Sequence, residues 1–141
     1  MVQINYDTFK IKRYNLWDLF LHTKQFPYIG RCYAWAKRED AVKIEDMNPK
    51  ERKELFEKVV PDWEKAVSAA FAHDWTNLAF FENTTSHLHA HLIPRYNTPK
   101  EAYGIEFIDP NPKGNYSPYP HQELEGEVLI KIKEDIKTWI S

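Results

Sequence analysis

Cysteine is nearly missing from this chain: Cys32 is the only one in 141 residues, so no internal disulfide can form and no cysteine-rich zinc cluster is available. Long apolar runs are missing too, since no stretch approaches the ~18 to 20 residues that a membrane-spanning helix needs, and no membrane association is expected. Neither sign of charge is in excess. Lys and Arg number 19 against 21 Asp and Glu, a formal net charge of −2, which argues against a nucleic-acid partner because broad polyanion binding needs a surplus of basic residues on one face. A small phosphorylated ligand needs only a few local donors and stays compatible. Met1 to Lys12 lacks a basic segment followed by an apolar core, so no secretory signal is expected there and the cytoplasm is the default compartment. Repeats, low-complexity tracts and long linkers are also absent, and residues 1–141 are expected to form a single domain, large enough to bury a core without a metal or disulfide staple.

What is present reads as mixed secondary structure. Val2 to Lys12 alternates as a strand. Asn15-Leu16-Trp17-Asp18 resembles a helix start, with Asn15 as N-cap and a short amphipathic turn through Leu19, Phe20 and Leu21. Gly30 to Lys37 alternates Cys32, Ala34 and Ala36 against Tyr33 and Trp35, a second strand. Asn48-Pro49-Lys50-Glu51 opens a helix, with Asn48 as cap, Pro49 where a missing N–H costs nothing, and Glu51 closing a capping box. Leu55, Val59, Val67 and Phe71 continue its apolar face, while Pro61 is expected to kink or split the helix near Val60. Asn77 to Phe81 reads as a third strand, the segment from His87 as a fourth, and Ile105 to Ile108 as a possible edge strand. Val128, Ile132, Ile136 and Ile140 lie four apart, one face of a terminal helix over Glu123 to Ile140. The connections are too short for parallel crossovers throughout, which predicts an α+β fold: an antiparallel sheet with helices on one side.

The most informative segment is His87-Leu88-His89-Ala90-His91-Leu92-Ile93-Pro94-Arg95. On a strand, side chains two apart share a face, so three imidazoles would line one side and Leu88, Ala90 and Leu92 the other. Histidines singly are usually satisfied core or surface residues, as expected for His22, His73 and His121; three in strict alternation are a different case. One possibility is a metal site, since His-x-His on a strand is a familiar ligand pair. Geometry restricts it: the Cα atoms of His87 and His91 would be about 13 Å apart on an extended strand, whereas a metal lies only about 6 Å from the Cα of each ligand. One strand therefore supplies two ligands at most, and no second His, Cys or Glu cluster of metal spacing accompanies it; zinc is not expected. The other possibility is nucleophilic catalysis, because a neutral imidazole with one nitrogen protonated and held can attack phosphorus with the other. His89, flanked on both sides, is the candidate nucleophile.

The run His-φ-His-φ-His-φ-φ followed by Pro94-Arg95-Tyr96 resembles the motif of the histidine triad (HIT) superfamily of nucleotide hydrolases and transferases. The resemblance extends to Gly30-Arg31-Cys32-Tyr33-Ala34-Trp35-Ala36-Lys37-Arg38, similar to the family's glycine-led strand ending in basic residues, and to Gly114-Asn115-Tyr116-Ser117-Pro118-Tyr119, similar to a loop of a compact prokaryotic branch. It implies a HIT-like fold with an antiparallel sheet of about five strands, commonly paired as a homodimer, and a two-step reaction at the α-phosphate of a nucleotide derivative. The substrate would be a dinucleoside polyphosphate or a nucleoside phosphoramidate. His89 would form the nucleotidyl intermediate, His87 would help fix its ring, and His91 would contact phosphate oxygens or assist the leaving group, with no metal or other cofactor required. Asn83 would either replace the phosphate-holding amide of a more usual Gly/Gln loop or match the asparagine that ends the preceding strand, and Thr84 and Ser86 would donate hydroxyls to the phosphate in either case. Glu39-Asp40 stand where a further histidine is common. Trp17, Phe20, Phe26 and Tyr28 are candidates for the nucleoside wall or, equally, for the core; Arg95 is expected to serve structure. The alternative is a nucleotide- or zinc-binding module that uses the same histidines without turnover.

Overall fold

The computed structural model describes residues 5–140. Five strands form one antiparallel sheet in the order β1-β2-β3-β5-β4: β1 Lys10–Arg13, β2 Trp17–Leu21, β3 Cys32–Ala36, β4 Trp75–Ala79 and β5 His89–Arg95. Alternation divides the sheet into two faces. Leu19, Ala34, Ala90 and Leu78 point to one side together with Trp17, Leu21, Cys32, Ala36 and Leu92, by the pairing of β2, β3, β5 and β4. Almost all of these are closed to solvent. That side is covered by α1 (Pro49–Glu54), a π-helical turn (Leu55–Val59), α2 (Val60–Phe71) and α3 (Gly126–Thr138), so the fold is α+β with the helices on one face.

The helix start at Asn48 has the capping box expected from the sequence: Asn48 accepts from the Glu51 N–H at 2.8 Å, and Glu51 accepts from the Asn48 N–H at 2.9 Å. Leu55, Val59, Val67 and Phe71 are buried, joined by Trp63 and Ala66. The helix divides near Val60 as expected: α1 gives way to the π turn, and α-helical bonding resumes at Val60 beside Pro61. Pro61 occupies the first turn of α2, and the helical register changes through the π turn immediately before it, which absorbs the missing N–H. In α3 the buried positions are Leu129, Ile132 and Ile136. Among the described residues no helix is long and apolar enough to cross a membrane.

Three expectations are corrected. The segment after Asn15 is strand β2, because Trp17, Leu19 and Leu21 alternate into the core and pair with β3; ladder pairing overrides the local helix-start signal, and the Leu16 N–H is taken by Glu54 at 2.7 Å. The first strand starts at Lys10, since Tyr6–Phe9 form a 3₁₀ turn capped by the Asn5 side chain; the part of that expectation at residues 2–4 lies outside the described residues. Ile105 to Ile108 does not edge the main sheet. Instead β7 (Ile105–Phe107) pairs with β6 (Lys100–Ala102) in a separate hairpin.

Residues 108–121 then run back along the end of the main sheet, fastened by Arg95. Its guanidinium bonds the Asp109 carboxylate at 2.8 and 2.9 Å, the Asn77 side chain at 2.8 Å, and the carbonyls of Asn111 and Gly114 at 2.6 and 2.7 Å. Arg95 thus has the structural role expected of it. The preceding Pro94 lies where β3 no longer pairs, so its missing N–H costs no bond there, while the β4 ladder continues to Arg95.

Candidate active site

The face of the sheet away from the helices carries the site. Its rows follow from the register: Asp18, Trp35 and His89 across β2, β3 and β5, then Phe20, Tyr33, His91 and Ala79 across β2, β3, β5 and β4. One step further on, the His22 N–H bonds the Arg31 carbonyl at 3.0 Å, so strand alternation sets His22 and Arg31 on this same face. A cleft of about 680 Å³ opens over it, lined by Tyr6, Phe20, His22, Thr23, Lys24, Tyr33, Trp35, Thr84, Thr85, His89 and His91.

The structure brings the three histidines together but not as three equal members of one strand. Strand β5 begins at His89, so His87 precedes the ladder. Its Nε2 lies 2.6 Å from the Ala36 carbonyl oxygen, and its ring stacks on Trp35 with centroids 4.0 Å apart and planes at 15°. This closes a short relay, because His89 Nδ1 lies 2.6 Å from the carbonyl oxygen of His87. A carbonyl only accepts, so Nδ1 carries the proton and Nε2 of a neutral His89 keeps its lone pair. Leu88, Ala90 and Leu92 are buried on the opposite side, as alternation requires.

His91 stands beside His89, ring centroids 4.9 Å apart, and His22 lies 5.8 Å beyond it. Burial, then the charge of Arg31, push His91 down to about 4. The same two causes, followed by His91, Lys24 and His89, push His22 to about 2. Both are neutral at pH 7, and His22 Nδ1 accepts from the Lys24 N–H at 3.0 Å. His22 is a site residue that sequence reasoning missed: one position past a strand taken for a helix, it gave no periodic signal.

Of the expected phosphate-holding residues, Thr84 lines the cleft. Asn83 and Ser86 sit exposed on the same loop outside the lining, and Thr85 lines the cleft in their company. Of the candidate wall aromatics only Phe20 is there, stacked on Tyr33 at 5.1 Å. Trp17 is core, its indole N–H donating to the Glu51 carbonyl at 3.0 Å; Phe26 packs on Phe107, and Tyr28 donates to the Tyr116 carbonyl under residues 108–121. Tyr33 and Trp35 take their place because they alternate onto the site face of β3. Lys37 and Arg38 are engaged locally, with Asp18 and with Glu51. Among the described residues no three His, Cys, Asp or Glu side chains gather as a metal-holding group.

A five-stranded antiparallel sheet with helices on one face and imidazoles on the other defines a class of fold. No protein-family model and no curated protein match the sequence, but solved structures match the fold. A histidine triad protein from Bradyrhizobium japonicum superposes with TM-score 0.72 at 17% identity, covering 94% of this chain and 90% of its own. A hypothetical histidine triad nucleotide-binding protein from Sulfolobus tokodaii gives 0.70 at 17%, covering 93% and 82%. A histidine triad (HIT) protein from Sinorhizobium meliloti gives 0.70 at 17%, covering 92% and 87%. The chain has the histidine triad fold, in the compact form of these prokaryotic proteins.

Proposed function

We propose that the protein is a nucleotidyl hydrolase or transferase that attacks the α-phosphate of a dinucleoside polyphosphate or a nucleoside phosphoramidate and passes through a nucleotidyl-His89 intermediate. The observation that carries this is the bond from His89 Nδ1 to the His87 carbonyl, which in the neutral ring directs the proton to Nδ1 and leaves the lone pair on Nε2. In the first step Nε2 donates its electron pair to the α-phosphorus, and the bond to the leaving group breaks, its pair departing on a terminal phosphate oxygen of a polyphosphate or on an amine that takes a proton from solvent as it leaves. In the second, a water oxygen bonds to phosphorus, the P–N pair returns to Nε2, and the water's proton passes to solvent. His87 holds the ring of His89 in place, and His91, neutral, contacts phosphate oxygens.

The cleft has the size of a small-molecule site, and Phe20, Tyr33 and Trp35 offer flat apolar surface to a base. The Thr84 and Thr85 hydroxyls, which line the cleft, serve the phosphates, with Asn83 and Ser86 exposed on the same loop outside the lining. The chemistry uses imidazole nitrogen and calls for no metal or other cofactor. The Sulfolobus protein of the same fold is named as nucleotide-binding, which supports the substrate class, and we place the protein in the cytoplasm as a homodimer. Steady-state turnover of diadenosine tetraphosphate and adenosine phosphoramidate tests the proposal. His89→Gln should cost at least about 10³-fold in kcat with unchanged thermal unfolding; turnover that survives in this variant would refute the assignment, and nucleotide binding without any turnover in the wild type would establish a binding module.

A further inference from the structure

We propose that Arg31 holds the phosphates of the leaving group, which commits the site to nucleotides whose α-phosphate is bonded to a further phosphate. The inference rests on the catalytic reading of His89 for its consequence, and on Arg31 itself for its evidence.

Arg31 is one of two buried arginines, 4% exposed, the other being Arg95 at 1%. Their surroundings differ in kind. Arg95 is neutralised by Asp109 and bonded through all three nitrogens. Among the described residues Arg31 forms no ion pair; its NH1 donates to the Tyr119 hydroxyl at 3.1 Å, and its guanidinium lies 5.5 and 5.7 Å from the rings of Tyr116 and Tyr119. Its Nε is buried without a hydrogen-bond partner, as is Nδ1 of His91 on the same face. Burying an arginine with no carboxylate beside it is costly unless an anion shares the site at some stage of function.

Position says which anion. Arg31 stands just before β3, on the same face as Tyr33 and Trp35 and beyond the residues that line the cleft, and Trp35 is the register partner of His89. The row of Arg31 is therefore about 13 Å along the strand from the row of His89, with His91 in the row between. Phosphates extending from an α-phosphorus held at His89 Nε2 run past His91 toward the guanidinium.

The chemistry agrees with a phosphate leaving group. When Nε2 attacks, the bridging oxygen takes the P–O electron pair and departs as a terminal phosphate oxygen. It needs no proton, and its new negative charge is what a fixed cation stabilises. An amine leaving from a phosphoramidate must instead be protonated as the P–N bond breaks. His91 and His22, the imidazoles nearest the departing group, are neutral at pH 7 and have no proton to spare for it beyond their own N–H. Arg31 supplies a permanent charge along the path of the outgoing phosphates, one row beyond that of His91.

The test uses wild type, Arg31→Gln and Arg31→Lys, each checked for unchanged near-ultraviolet dichroism. Calorimetric titration with tripolyphosphate should show Arg31→Gln weakened about tenfold or more, with AMP weakened far less and Arg31→Lys intermediate. In turnover, the loss on diadenosine tetraphosphate should exceed the loss on the p-nitrophenyl ester of AMP, whose leaving group carries no phosphate, at least about fivefold. Equal losses on the two substrates, or unaltered tripolyphosphate binding, would overturn the proposal and leave Arg31 as a fastening for Tyr116 and Tyr119. If wild type turns over neither substrate while Arg31→Gln selectively loses tripolyphosphate, the catalytic reading fails and the anion site stands.

Discussion

Arg95 and Asp109 form a bidentate ion pair, 2.8 and 2.9 Å, with both side chains shut off from solvent. The pair joins the end of β5, the strand that carries His89 and His91, to the segment that returns over the sheet. Removing one partner leaves the other as a buried, unpaired charge, which costs about 3 to 5 kcal/mol. Asp109→Ala should therefore lower Tm by on the order of 10 °C; a shift of only a degree or two in a thermal melt would show that residues 108–121 are not held by this pair.

Trp35 provides the surface on which His87 lies flat, and His87 in turn supplies the carbonyl that fixes His89. Trp35→Leu keeps an apolar side chain but removes the stacking partner, worth about 0.5 to 1.5 kcal/mol. We expect kcat to fall about two- to tenfold and Tm to fall by roughly a few °C. A rise in KM alone would restrict Trp35 to base binding.

The depressed histidines make stability pH-dependent with a definite sign. An unfolded chain takes a proton on each near pH 6.5, whereas the folded protein resists until about 4 at His91 and about 2 at His22. Between those values the unfolded state binds more protons, so stability is full above pH 6.5 and declines as pH falls toward 4. In thermal melts from pH 7 to 4, His22→Asn should decline less steeply than wild type. Parallel curves would mean that His22 is not held neutral by the fold.

Gly30 has a φ of +101°, and a Cβ there would come within 2.9 Å of Val67 Cγ1. Its carbonyl also accepts the Trp63 indole N–H at 3.0 Å, tying the start of β3 to α2 directly behind Arg31. Gly30→Ala should destabilise by about 1 to 3 kcal/mol, measurable by urea unfolding; a neutral outcome would show that α2 yields to the methyl group.

The parts of this architecture legible in the sequence are those where one local rule acts alone. Asn48-Pro49-Lys50-Glu51 caps its helix whatever surrounds it, and the alternation of Leu88, Ala90 and Leu92 with the histidines fixes which side of β5 is buried. Where local and long-range signals compete, the long-range one prevails. Asn15 to Leu21 carries helix-start chemistry, yet pairing with β3 and burial of Trp17 make it a strand, and that misassignment hid His22. Of Trp17, Phe20, Phe26 and Tyr28, equally candidates for wall or core, only Phe20 reaches the cleft, and Tyr33 and Trp35 join it through register. Nothing local marks Arg31 as unpaired, since that depends on which carboxylates the fold leaves away from it.

The central claim is that His89 becomes covalently nucleotidylated. Diadenosine tetraphosphate mixed with the protein, quenched in alkali within milliseconds and read by intact-mass spectrometry, should give a transient added mass of one nucleoside monophosphate, located on His89 and missing in His89→Gln. Turnover by wild type with no adduct at any time, or an adduct that persists in His89→Gln, would contradict the account.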